Sequence, residues 1–96
     1  MRCFIVFYGA GTILVLSTYK SATDPRVARR LQGSNITKMI LMEVPLDLVR
    51  ERYGEHFEEI SRMVGSEAFK VLDFNGASVL NRFTFAEMGP PIMVEF

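Results

Sequence analysis

Two apolar segments open the chain, and their composition predicts a β-hairpin. Residues 2–8 are rich in Phe, Ile, Val and Tyr, and residues 12–19 are rich in Ile, Leu, Val and Thr, as strands usually are. Between them, Gly9, Ala10 and Gly11 supply the backbone freedom that a tight reversal requires. Apolar side chains occupy successive positions in both segments, which indicates strands buried on both faces.

A short helix and a third strand are predicted next. Thr23 or Asp24 is suited to the N-cap of the helix, and Pro25 to its first turn. Gly33 is suited to a left-handed C-cap, so we expect the helix to end there. Residues 36–44 then form a strand with apolar side chains on both faces.

One longer helix is predicted after Pro45, because apolar residues recur there at steps of three and four. This stripe consists of Leu46, Val49, Tyr53, Phe57, Ile60 and Val64. Gly65 is the expected C-cap. Gly54 is expected inside the helix, at a cost of about 1 kcal/mol relative to alanine.

The remainder of the chain is predicted to be extended. Residues 68–74 and 77–86 have strand composition, and Asn75-Gly76 between them is the dipeptide most favoured in a two-residue type I′ hairpin. Residues 88–96 contain a Gly-Pro-Pro break and are predicted as an extended C-terminal arm, whose last residues can add to a sheet edge.

These elements predict a single α+β domain over residues 1–96. The order is β-β-α-β-α-β-β with a short C-terminal strand in addition. Both strand–helix–strand passages are long enough for a right-handed crossover, so we expect a single mixed β-sheet with two helices.

Composition excludes several kinds of site. Cys3 is the single cysteine and His56 the single histidine, which excludes an intrachain disulfide framework and a cysteine-rich zinc site. We therefore predict no metal and no cofactor. The apolar run over residues 3–16 is interrupted by glycines and is shorter than the roughly 20 residues of a membrane span, so we expect a cytoplasmic protein without a membrane partner.

The predicted sheet has more apolar surface than two helices can cover, which favours self-association. We expect a homodimer, or a complex with another protein, as the leading partner. Ile13 and Val15 are candidate contact residues on the second strand. Alternatively, helices on opposite faces and the twist of the sheet bury these residues within one chain.

The C-terminal segment is a second candidate contact surface. Its methionines flank the Gly-Pro-Pro break, whose restricted backbone would project the residues after it as a docking strand. The candidate residues there are Met88, Met93, Val94 and Phe96. A small non-catalytic protein-interaction or regulatory module is therefore the leading function class.

Basic residues are concentrated early in the chain and suggest a second function class. Residues 1–40 carry a net charge of +5 and the remainder −5, although the whole chain is neutral. A loop and one arc of the first helix could bind an anion, a nucleotide or RNA, since helix N-termini favour anions. The candidate residues are Lys20, Ser21, Thr23, Arg26, Arg29 and Arg30. Alternatively, this basic face complements the acidic second helix, within the chain or across a dimer.

Catalysis has the weakest support in the sequence. His56 beside a carboxylate would give a small enzyme, the third alternative, but no second group is indicated by spacing. Cys3 lies in an apolar strand, where a thiol behaves as a small buried hydrophobe. Glu43, Asp47 and Asp73 could converge near strand ends, although isolated acids are usually solvated. We predict no catalytic residue.

Overall fold

A computed structural model of the chain describes residues 1–9, 11–33, 35–63 and 69–96. This part of the chain forms five strands and five α-helices. The strands are β1 (Arg2–Tyr8), β2 (Gly11–Ser17), β3 (Lys38–Val44), β4 (Phe69–Asp73) and β5 (Ile92–Glu95). The helices are α1 (Tyr19–Ala22), α2 (Pro25–Gln32), α3 (Leu46–Tyr53), α4 (Glu55–Met63) and α5 (Gly76–Arg82), followed by a 3₁₀ turn at Phe85–Glu87.

The strands form one sheet in the order β4-β2-β1-β3-β5, and every pairing is antiparallel. The α+β class is as predicted, whereas the prediction of a mixed sheet is wrong. β2 and β3 do run in the same direction across their helical connection, because both are antiparallel to β1. However, β1 lies between them, so no parallel pair forms.

The predicted first hairpin and first helix are both present. β1 pairs with β2 up to Tyr8 opposite Gly11. The carboxylate of Asp24 accepts a hydrogen bond from the backbone N–H of Arg26 at 2.8 Å and caps α2, and Pro25 occupies the first helical turn. Gly33 ends the helix with a φ of +96°, a backbone conformation that favours glycine.

Gly54 divides the predicted long helix into α3 and α4. Its φ is +53°, and its N–H donates to the carbonyl of Arg50 at 2.9 Å, so the glycine ends one helix and the next begins directly after it. The apolar stripe continues across the break, because Val49, Tyr53 and Phe57 all pack into the same cluster. The last predicted positions of this helix, 64 and 65, lie outside the described residues.

The strand predicted over residues 77–86 is wrong, because α5 and the 3₁₀ turn occupy this region. Asn75 has a φ of −87°, whereas a type I′ turn needs a positive value. Its side chain instead accepts a hydrogen bond from the N–H of Ser78 at 3.2 Å and caps α5. The helix packs Val79 onto the sheet.

Helices cover both faces of the sheet, and the core therefore has two layers. On one side, here called the two-helix face, Ala22 of α1 and Ala28 of α2 pack on Phe4, Val6, Ile13, Val15, Met39 and Leu41. On the other, the three-helix face, side chains of α3, α4 and α5 pack on Cys3, Ile5, Leu14, Leu16, Val44 and Leu72. The chain therefore adopts the alternative arrangement, in which helices lie on opposite faces of the sheet and cover it.

Among the described residues, no helix is both long enough and apolar enough to cross a bilayer.

Candidate functional site

The C-terminal segment is part of the sheet and forms one of its two edges. Gly89 donates its N–H to the carbonyl of Glu43 at 2.7 Å, and Phe96 donates to the carbonyl of Thr37 at 2.8 Å. Between these two contacts β5 pairs with β3, with Met93 opposite Ile40. Of the two expectations for residues 88–96, the added strand is therefore observed, and a projecting arm is not.

The backbone of β5 presents unpaired groups to its outer side. In an antiparallel ladder, alternate residues direct both N–H and C=O to the same neighbour. Since Phe96 bonds to β3, Val94 and Ile92 do so as well, and Met93 and Glu95 point the opposite way. No strand lies beyond β5 in the described part of the chain. Such an edge is a template for a further strand.

The side chains of β5 are apolar on one face and partly apolar on the other. Ile92 and Val94 pack at the border of the two-helix face and are half-buried, while Phe96 is 37% exposed. Met93 is 58% exposed on the opposite face. It borders a cleft of about 160 Å³ lined also by Phe7, Tyr8, Gly9, Lys38, Met39 and Ile40.

The segment leading to β5 is fastened to α3 by an ion-pair network that the sequence did not indicate. Arg52 makes two hydrogen bonds to the carboxylate of Glu87 and a third to the carbonyl of Arg82. Glu87 also accepts the N–H of Thr84 at 2.8 Å. Its pKa falls to about 2, chiefly because of Arg52. Met88, the next residue, is half-buried and packs against the core of the three-helix face. It therefore contributes to the core more than to an exposed contact surface.

The candidate anion-binding residues surround a helix end that is already occupied. The carboxylate of Asp24 caps α2 and is paired with the Arg26 guanidinium at 2.8 Å. This contact holds the pKa of Asp24 near 2, so the carboxylate is charged at neutral pH. An incoming anion would meet this charge at the point where the helix N–H groups are exposed.

None of the candidate anion-binding residues lines the clefts found beside β3 and α3, along α4 or beside β5. Thr23 donates its hydroxyl to the carbonyl of Tyr19 at 2.9 Å, and the Ser21 hydroxyl is 3.0 Å from that of Thr18. Lys20 is exposed on α1, and Arg29 and Arg30 are exposed on α2. The acidic α4 packs on the three-helix face and α2 on the two-helix face, so the two helices lie on opposite sides of the sheet.

Ile13 and Val15 are 0% and 2% exposed and belong to the core of the two-helix face. Both residues were candidates for an interaction surface, and their burial removes them from any surface of the folded chain. They are buried because α1 and α2 pack on the face that the sequence pattern left open.

The residues considered for catalysis do not assemble into a site. His56 is exposed on α4, and within the described residues no hydrogen bond joins it to a carboxylate. Glu43 is paired with Arg2 and Asp73 with the hydroxyl of Tyr53, so these acids have separate structural partners. Burial raises the pKa of the Cys3 thiol to about 12. The described residues contain no cluster of His, Cys, Asp or Glu suited to a metal ion.

A larger cleft of about 460 Å³ lies where β3 meets α3. Its lining includes Met1, Arg2, Cys3, Glu43, Leu46 and Met88. The charged side chains of this lining are engaged within the chain, Arg2 with Glu43 and Glu87 with Arg52. Ligand pockets usually hold a few polar groups free to orient a ligand. The cleft therefore gives weaker support to a function than the edge of β5.

Comparison with known proteins finds no family model, no curated relative and no solved structure that matches this chain. The function of this chain is therefore inferred from its own geometry.

Proposed function

We propose that this chain is a small non-catalytic interaction module whose binding element is the outer edge of β5. An extended segment of a second polypeptide adds there as a sixth strand of the sheet. The observation that carries the proposal is the outward orientation of the Met93 and Glu95 backbones beside exposed apolar side chains. Main-chain hydrogen bonds give affinity in this binding mode, and alternate side chains give specificity.

The side chains around β5 support an apolar partner strand. Met93 and the neighbouring Phe7 and Ile40 offer contacts on the three-helix face. By the alternation of side chains along a strand, Phe96 follows Ile92 and Val94, which border the core cluster of the two-helix face. A strand with apolar residues at alternate positions would therefore bury surface on whichever face it presents.

A single backbone change tests strand addition. Proline at position 93 removes an N–H that points away from β3, and edge strands accept proline at such positions. Peptides of extended, alternating sequence selected for binding to the wild-type chain should lose about tenfold or more in affinity for Met93→Pro, because one ladder bond and its neighbours are lost. Isothermal titration calorimetry measures this loss.

Met93→Ala is the matched control, because it removes the side chain and keeps the N–H. Bound peptides should shift the amide resonances of Met93 and Glu95 in the wild-type protein. Selected peptides that bind the Met93→Pro and Met93→Ala variants equally well, or that shift other resonances only, would contradict strand addition at β5.

A further inference from the structure

We infer that the partner of β5 is a second copy of this chain, paired antiparallel about a two-fold axis at Val94. In this arrangement Met93 of each copy lies opposite Glu95 of the other, and the two sheets become continuous. The inference rests on the proposed function and adds the identity and the register of the partner strand.

The backbone of β5 is self-complementary in this register. The two residues whose N–H and C=O groups point outward, Met93 and Glu95, are two positions apart. Antiparallel pairing about Val94 places each of them opposite the other residue of the second copy, so both N–H···O=C bonds of each pair can form. A shift of one residue would place Met93 or Glu95 opposite Val94, whose N–H and C=O groups already bond to β3.

The side chains are self-complementary in the same register. On the two-helix face Val94 meets its own copy, and Ile92 meets Phe96. The apolar stripes of the two chains would thus join next to the existing core cluster, of which Ile92 and Val94 form the border. Cross-strand apolar pairs of this kind stabilise a sheet.

Charge and proline discriminate against the nearest alternative registers. Shifting the axis to Glu95 would place two carboxylates opposite each other, which is unfavourable. Shifting it to Met93 would place Glu95 opposite Pro91, which has no N–H to donate. In the proposed register Glu95 faces Met93 of the second copy and keeps Lys38 of its own chain on its other side.

The proposed contact is small, and its two-fold symmetry limits the assembly to a dimer. A single short strand pair with flanking side chains buries less than the roughly 1,200 Å² of a standard stable interface, so we expect association in the micromolar range or weaker. A two-fold axis uses the same edge on both copies, so pairing ends at the dimer.

Engineered disulfides measure both partner and register. Position 94 lies in a pair without mutual hydrogen bonds, in which opposite Cβ atoms are close enough for a disulfide. Val94→Cys should therefore oxidise to a covalent dimer about tenfold faster than Met93→Cys or Glu95→Cys, whose thiols face a different residue. An equimolar mixture of the Met93→Cys and Glu95→Cys chains should yield more mixed dimer than the two homodimers together, whereas random pairing would give equal amounts.

The wild-type chain is the control, because its cysteine, Cys3, is fully buried. Sedimentation of the reduced Val94→Cys chain, together with its melting curve, checks that it folds and associates like the wild type. Equal oxidation rates at positions 93, 94 and 95 would overturn the inference, and faster coupling at 93 would overturn the register. If the chain stays monomeric while selected peptides still bind at β5, the second-copy inference is wrong and strand addition stands.

Discussion

β4 and β5 form the two edges of the same sheet, yet they are protected very differently. β4 packs against α4 and α5, and the Lys70 ammonium donates to the carbonyl of Ser61 at 2.6 Å. Asp73 at its end accepts the hydroxyl of Tyr53 at 3.0 Å. Its pairing with β2 is irregular between Leu14 and Val15. Irregular pairing and covering helices are common ways of blocking a sheet edge.

β5 has fewer of these protections. It pairs regularly with β3 over four residues, and Met93 is exposed at its centre. Its length is short, prolines precede it and Glu95 lies near its end, which limits how far a partner strand can extend. Of the two edges, β5 is therefore the one at which the proposed strand addition is expected, and its short length limits the strength we expect of it.

The largest effect we expect concerns the helix that covers β4. Phe57 anchors α4 in the core and is 4% exposed, so Phe57→Ala should destabilise the fold by about 3–5 kcal/mol. Urea unfolding measures this change. Residue-resolved hydrogen exchange should show β4 losing protection before β5. If the variant melts within a degree or two of the wild type, α4 is not what holds this edge.

A smaller effect is expected on the side of β5, where Glu87 fastens the preceding segment to Arg52. The pKa of Glu87 lies near 2 in the folded chain against an ordinary value of 4.5, so its contribution is present above pH 4.5 and is lost as the pH falls towards 2. Glu87→Gln should therefore be less stable than the wild type at neutral pH, and the difference should vanish near pH 2.

Thermal melts at stepped pH measure that difference between the two chains. Asp24 also has a pKa of about 2, but it is present in both the wild-type and the Glu87→Gln chain, so its effect cancels in the difference between them. Because the Arg52–Glu87 pair is partly exposed, added salt should reduce the difference. A constant difference from pH 7 to pH 2 would show that the ion pair does not fasten this segment.

The contrast between β4 and β5 also marks what the sequence could reveal. Residue composition predicts β1, β2 and β3, and the cap residues predict α2, because composition and end signals agree in these elements. The break at Gly54 was not evident, since the apolar stripe continues across it. The region after Asn75 was predicted as a strand because Asn-Gly is a strong turn signal, whereas here the asparagine side chain caps a helix.

The candidate site could be predicted only in part. The sequence indicated Met93, Val94 and Phe96 as contact residues from their position after the prolines. It could not show which backbone groups face outward, because that depends on the pairing with β3. Ile13 and Val15 were misplaced for the same kind of reason, since burial by α1 and α2 depends on the path of the chain.

Hydrogen exchange of the β5 amides at increasing protein concentration tests strand pairing at this edge most directly. Between about 10 μM and about 1 mM, the N–H groups of Met93 and Glu95 should become protected by about tenfold as the sedimenting mass rises towards twice 10.9 kDa. Those of Ile92 and Val94, already bonded to β3, should change little. A doubled mass with unprotected Met93 and Glu95 amides, or no association and no protection at the highest concentration, would contradict pairing through β5.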